Sequence, residues 1–283
     1  MAEENRFRVT METPPDLVIV KEGEPQPALA GKLGMIAPSP RKLMSQLQFR
    51  DYVTATLPKA PPDTTGVGGD PRPYRERYSD NQMLANDQLG NCVMAERGHA
   101  INSWAGVSGN PAKVTRQEVV ANYFRLTGGA DTGLVIIDAL NDWKSRAFAG
   151  TKIAGFVSIN PTDIEAIKLA IWMFGGVCCG VNLPNAWQGQ STWAGPPGGR
   201  LPRVGPWAAG SWGGHCIRAF DFNNDQFYVR SWASKIEVPW AALPYFSEFY
   251  AVLDELWVSL LTEEAASGFN WEALNNDLPS VGA

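Results

Sequence analysis

The chain predicts an α+β fold, with helices gathered in its first half and strands in its second. Three observations carry that reading. Segments with helical spacing and capping signals dominate residues 92–176. Strand-like segments separated by turn residues dominate the region after 176. The 283 residues are 45% hydrophobic and 19% charged, which suits one large domain with its own core, or two small ones, rather than a disordered chain.

Residues 1–75 read as an extended, proline-rich arm and linker, and 76–283 as the folded domain. "EGEPQPALAGKLGMIAPSP" and "LPKAPPDTTGVGGDPRP" have little helical periodicity, although "RKLMSQLQFRDYV" has room for a short helix. Two expectations stand for the arm: it wraps its own domain, or it docks on a neighbour through anchors such as Leu17, Val18, Ile19, Val20, Leu29, Met35 and Ile36.

Within the domain, residues 92–106 predict a helix with Val93, Ile101, Trp104 and Ala105 near one face. "TRQEVVANYFRLTGG" opens on a capping box, Thr115 with Glu118, and closes on glycines. "GLVIIDALNDWKSRAF" predicts a third helix, "TKIAGFVSI" a strand, and "PTDIEAIKLAIWMFGG" a fourth helix boxed by Thr162 and Glu165. "GVCCGVNL" reads as a buried strand. Residues 185–214 form an irregular loop holding Trp187, Trp193, Trp207 and Trp212, and loops of that length are usually functional or partner-bound. "GHCIRAFDFNNDQFYVRSW" is a hairpin, "KIEVPW" a strand, "AALPYFSEF" a short helix and "YAVLDELWV" a final strand.

Composition narrows the function. A net charge of −5, from 24 basic and 29 acidic residues, leaves no electrostatic footprint for nucleic acid. No apolar run reaches membrane-spanning length, and the start lacks a basic segment followed by an apolar one, so synthesis in the cytoplasm without a signal peptide is expected. Cys92, Cys178, Cys179 and Cys216 form no spaced framework and are expected as reduced thiols. There is no CxxC and only His99 and His215 are present, so neither a metal nor a cofactor is expected.

Cys92 is the residue that invites chemistry. It follows "NDQLGN" and opens a helix, where unpaired N–H groups and the helix dipole favour a thiolate. Gly90 and Asn91 permit a tight turn into that helix. The other reading is a core thiol at a helix start, and the spacing does not choose between them. A catalytic thiol needs a base within hydrogen-bond reach. His99 lies two turns up the same helix, roughly 10 Å away, so His215 remains by elimination. Cys216, next to it on a strand, points to the opposite face and is expected in the core with Cys178 and Cys179.

With Cys92 and His215 in place, residues 80–258 resemble the papain-like cysteine peptidase superfamily. "NDQLGNC" resembles the segment in which an oxyanion glutamine precedes the nucleophile by six; here that position is Asn86. "GGHCIRAFDFNNDQFYVRSWA" resembles the histidine strand and the Asn-Ser-Trp strand after it, and "EVPWAALPYFSEFYAVLDELW" resembles the tail of a divergent subgroup often encoded by bacteriophages and prophages. The resemblance implies Cys92 as nucleophile, His215 as base, Asn86 as oxyanion donor, and Gly90, Asn91, Trp212, Gly214 and Trp232 around the substrate cleft.

Two positions depart from that pattern. Asn86 has a shorter side chain than glutamine, though it still donates. Arg230 stands where an asparagine accepts a hydrogen bond from the imidazole, and a guanidinium has only donors. Asp221 is six residues from His215, about 20 Å along a straight strand. An acceptor from a loop elsewhere would have to orient the ring. Three functions follow: a papain-fold structural component of a bacteriophage particle with a weak or vestigial site, an active peptidase or amidase cutting a peptide substrate, or a binding module using the tryptophan loop.

Overall fold

The computed structural model describes residues 31–53, 82–107, 114–254 and 269–277. A six-stranded antiparallel sheet forms one half of the molecule: β3 (Ile153–Ile159), β4 (Val177–Leu183), β5 (Gly213–Phe222), β6 (Gln226–Ser231), β7 (Ser234–Pro239) and β8 (Phe246–Asp254), in the order β3-β8-β4-β5-β6-β7. The other half is helical: α2 (Cys92–Val107), α3 (Arg116–Thr127), α4 (Ile136–Ser145) and α5 (Ile164–Phe174). Earlier in the chain come β1 (Met35–Ile36) and α1 (Pro40–Met44), β2 (Leu134–Val135) pairs with β1, and α6 (Trp271–Asp277) comes last.

The central helix α2 does not have one buried face as its apolar spacing implied. Residues 92–104 are buried all round, between the sheet and the other helices. Its polar residues are therefore buried too and need partners. Arg97 lies 3.8 Å from Asp142 and over the Trp143 ring, and Glu96 faces Arg218. α3 opens on the expected box, with Thr115 Oγ1 accepting from the Glu118 N–H and the Glu118 carboxylate accepting from the Thr115 N–H.

Three expected boundaries move. The cap of α5 is Asp163, not Thr162: its carboxylate accepts from the Ala166 N–H, while Thr162 turns back to Asn160. The third helix starts at Ile136 because Leu134 and Val135 pair in parallel with Met35 and Ile36 of the arm. "AALPYFSEF" forms only a 3₁₀ turn, Trp240–Tyr245, with Pro244 inside it, and β8 begins at Phe246. β8 lies between β3 and β4, so both backbone edges of this stretch are paired into the sheet. Residues 255–258 of the expected final strand lie outside the described residues.

Over residues 31–53 the arm packs on its own domain. Phe49 and Tyr52 are buried, Phe49 stacks on Phe269 at 5.7 Å and meets Phe174 edge-on at 6.2 Å, and Arg50 forks onto Asp163. Anchors Leu17, Val18, Ile19, Val20 and Leu29 lie outside the described residues. In the tryptophan loop, Trp187 stacks on Trp193 at 5.1 Å and both are buried, so this pair packs the loop and offers no platform for a ligand.

Candidate active site

Cys92 and His215 line one small cavity between α2 and the sheet, together with Asn86, Glu96, His99, Cys216, Arg230, Ser231 and Trp232 among others. α2 presents Cys92, Glu96 and His99 to it at intervals of four and three residues, which is one helix face. β5 and β6 supply the opposite wall. Both candidate reactive groups are sealed: Cys92 and His215 are each 1% exposed. Burial pushes the Cys92 thiol up to about 11, opposed by backbone hydrogen bonds from Cys216, Gly34 and Val93. Burial pushes the His215 imidazole down to about 3. Both shifts favour the uncharged form, thiol at Cys92 and neutral imidazole at His215.

His215 is held on two sides. Its Nε2 lies 2.7 Å from Ser231 Oγ, and its ring stacks on Trp232 with centroids 4.3 Å apart. Nδ1 is buried with no hydrogen-bond partner. The orienting group thus comes from β6 itself, one residue beyond Arg230, and not from a distant loop. A hydroxyl can accept or donate, so it satisfies the ring in either tautomer. Arg230 turns its guanidinium over the Phe220 ring instead. Trp232 and Ala233, the two residues between β6 and β7, both have positive φ, 45° and 58°. Non-glycine residues are strained there, and the strained turn is what lays the indole over His215. Trp212 packs on that indole at 5.1 Å, behind it rather than on the cavity wall.

The arm lies across this site, and the Gly34 backbone hydrogen-bonds Cys92. Asn86 Nδ2 donates to the Lys32 carbonyl at 3.0 Å and to the Leu89 carbonyl at 3.1 Å, while the Lys32 N–H donates back to the Asn86 carbonyl at 2.7 Å. The amide expected to hold an oxyanion therefore already holds a peptide carbonyl. Gly90 and Gly214 lie directly under arm backbone, facing the Leu33 and Met35 carbonyls. Asn91 is not a cleft residue: it is fully buried, donates to the Leu84 carbonyl at 2.8 Å, and its own carbonyl accepts the first helical N–H groups of α2. Its role is to start the helix.

Glu96 is a site residue that the sequence reading passed over, although its i+4 spacing from Cys92 was visible. Burial raises its pKa, and the nearby Arg218, 3.4 Å away, opposes that. Among the described residues, Glu96, Cys178 and Cys216 place ligand atoms within 4.8 Å of one another, close enough to share a metal. The Cys178 and Cys216 sulfurs are 3.6 Å apart and Glu96 already faces a guanidinium, so the triad is internally partnered. No helix among the described residues is long and apolar enough to cross a membrane.

No protein-family model matches the chain, and no curated protein matches it. Among solved structures it is similar to xylellain, a cysteine protease from Xylella fastidiosa, with a TM-score of 0.56 and 13% identity over 81% of this chain and 98% of that one. Weaker overlaps are with digestive procathepsin L 3 of Tenebrio molitor (TM-score 0.48, 9% identity, 74% of this chain and 76% of that one) and the Carica candamarcensis cysteine protease CMS1MS2 (0.36, 13%, 58% and 89%). The chain has the α+β fold of papain-like cysteine proteases.

Proposed function

We propose that the protein is a latent cysteine peptidase that acts on peptide bonds once its arm is displaced. The observation that carries this is that a helix-start thiol, Cys92, lines one cavity with an imidazole, His215, whose Nε2 is anchored and whose Nδ1 is unpartnered. With the arm lifted, water and substrate reach the pair and the desolvation that keeps both groups neutral is relieved. Ser231 accepts from Nε2–H, which leaves the Nδ1 lone pair to take the Cys92 proton. The thiolate adds to the substrate carbonyl, Asn86 Nδ2 donates to the developing oxyanion, and the imidazolium protonates the leaving amine. Water, deprotonated by His215, then hydrolyses the acyl-enzyme. The test is a mixed peptide library incubated with the wild-type chain, an arm-loosened variant and Cys92→Ala, with products read by mass spectrometry. Cuts that need Cys92 and increase when the arm is loosened are expected; their absence in both active-cysteine forms would remove the proposal.

One observation favours a second reading. A buried, uncharged Cys92 and His215, with Arg230 where the papain-like pattern has an asparagine, is also what a silent site would look like. In that reading the chain is a structural component of a bacteriophage particle and the remainder of the arm docks on neighbouring subunits. It predicts the protein in purified particles, and normal assembly with Cys92→Ala.

A further inference from the structure

Four glycines where the arm meets the domain have no left-handed φ that would call for glycine. A Cβ on Gly34 would sit 1.7 Å from the Gly90 carbonyl oxygen, and a Cβ on Gly90 would sit 2.8 Å from the Leu33 carbonyl oxygen. A Cβ on Gly31 would overlap the Trp232 indole at 1.8 Å, and one on Gly214 would meet the Met35 carbonyl oxygen at 2.7 Å. Gly133 closes the far side, where a Cβ would meet the Gly34 carbonyl oxygen at 2.3 Å. At each of these contacts but one the obstacle is main chain, which cannot swing away as a flexible side chain can. Between the two glycines, the Lys32 side chain is half exposed with its Nζ 3.6 Å from Asp131, a surface pair of small worth, and Leu33 lies against Gly213. Met35, just beyond, is buried against Gly180 and Gly214.

We propose that the cleft selects glycine: it binds extended peptides of the form Gly, any residue, apolar, Gly, apolar, and the arm's Gly31 to Met35 is the copy it holds in cis. The ligand is gripped through its backbone. Asn86 exchanges two hydrogen bonds with Lys32, and the Leu134 N–H donates to the Gly34 carbonyl at 2.8 Å. These bonds read extended shape but not side chains, so the glycine walls supply the discrimination. A side chain at either glycine forces main chain or an indole to move, and overpacking of that kind weakens binding by about tenfold or more. The proposal deepens the peptide-site reading above but does not need catalysis.

The experiment uses the full chain and reads which thiols react with iodoacetamide, by mass. Gly34→Ala and Gly31→Ala are expected to speed alkylation of Cys92 at least about tenfold over wild type, with Met44→Ala, exposed and outside the cleft, unchanged. Added peptide AGKLGMIA should slow the Gly34→Ala variant again, and AGKLAMIA should not. Reaction at all four cysteines would signal unfolding instead of arm release, so a second measurement is made on wild type alone: the same two peptides tipped with an acrylamide, labelling Cys92 over hours. Faster labelling by the glycine peptide supports the proposal. Equal labelling by the two peptides, equal protection by them, or glycine variants as slow as wild type would overturn it. A chain that binds the glycine peptide selectively yet hydrolyses no amide would remove the peptidase reading and leave this one standing.

Discussion

Acid should destabilise this protein through His215, by an amount the structure sets. The imidazole is sealed, and its pKa in the fold is pushed down from 6.5 to about 3. Above pH 6.5 both folded and unfolded chains hold it neutral, so its neutral burial is fully tolerated there. Below 6.5 the unfolded chain gains a proton that the folded chain cannot, and stability falls until the pH reaches about 3. Each unit between the two values is worth about 1.4 kcal/mol. At pH 4.5 the loss is therefore on the order of 2–3 kcal/mol, a large share of the roughly 5–15 kcal/mol that holds a typical domain together. The assay is urea unfolding at several pH values between 7.5 and 4.5 for wild type and His215→Gln, which cannot titrate. Carboxylates contribute to both curves and cancel in the difference. Wild type should lose about 2–3 kcal/mol more than the variant over this range. Parallel curves would mean that the imidazole is hydrated or already charged in the fold, and the sealed neutral dyad would be wrong.

Three further outcomes follow from the packing. Ser231→Ala leaves His215 Nε2 buried without its partner and should cost about 1–3 kcal/mol in urea unfolding; Ser231→Asn, which restores an acceptor, should recover part of it and shift the pH dependence of Cys92 reactivity back toward wild type. Phe49→Ala should destabilise by about 3–5 kcal/mol, because that side chain fills the space between Phe174 and Phe269; an effect under 1 kcal/mol would mean this stretch of the arm is not part of the core. Arg218→Met strands the Glu96 carboxylate and should cost about 3–5 kcal/mol, with Glu96→Gln in the same chain returning much of it.

The features legible in the sequence were local ones. Thr115 and Glu118 announce their helix because the cap and the helix are neighbours in the chain, and the strands of 213–239 alternate with turn residues between them. Cys92 and His215 stood out because few other residues could do the chemistry. The misses are non-local. Nothing in the spacing of Gly34 and Gly90 reveals that their backbones touch, since 56 residues separate them. The pairing of Leu134 with Met35 likewise displaced a helix start that periodicity alone favoured. Ser231 is hidden for a different reason: the papain-like pattern points to position 230, whereas the residue that meets His215 is the next one, directly before the positive-φ turn at Trp232 and Ala233. The resemblance places Asn91 around the cleft, but its amide is spent on the Leu84 carbonyl, a contact no motif encodes.

The central claim is that Cys92 and His215 work as a pair once the arm lifts. It is tested most directly by the rate at which a peptidyl electrophile labels Cys92 in the Gly34→Ala chain, measured against pH with and without His215→Ala. Labelling that falls at least about tenfold without His215, and that reaches its plateau well below the pH at which a free thiol would, is the expected result. A rate that ignores the loss of His215 and rises only as an isolated thiol ionises would contradict the pairing.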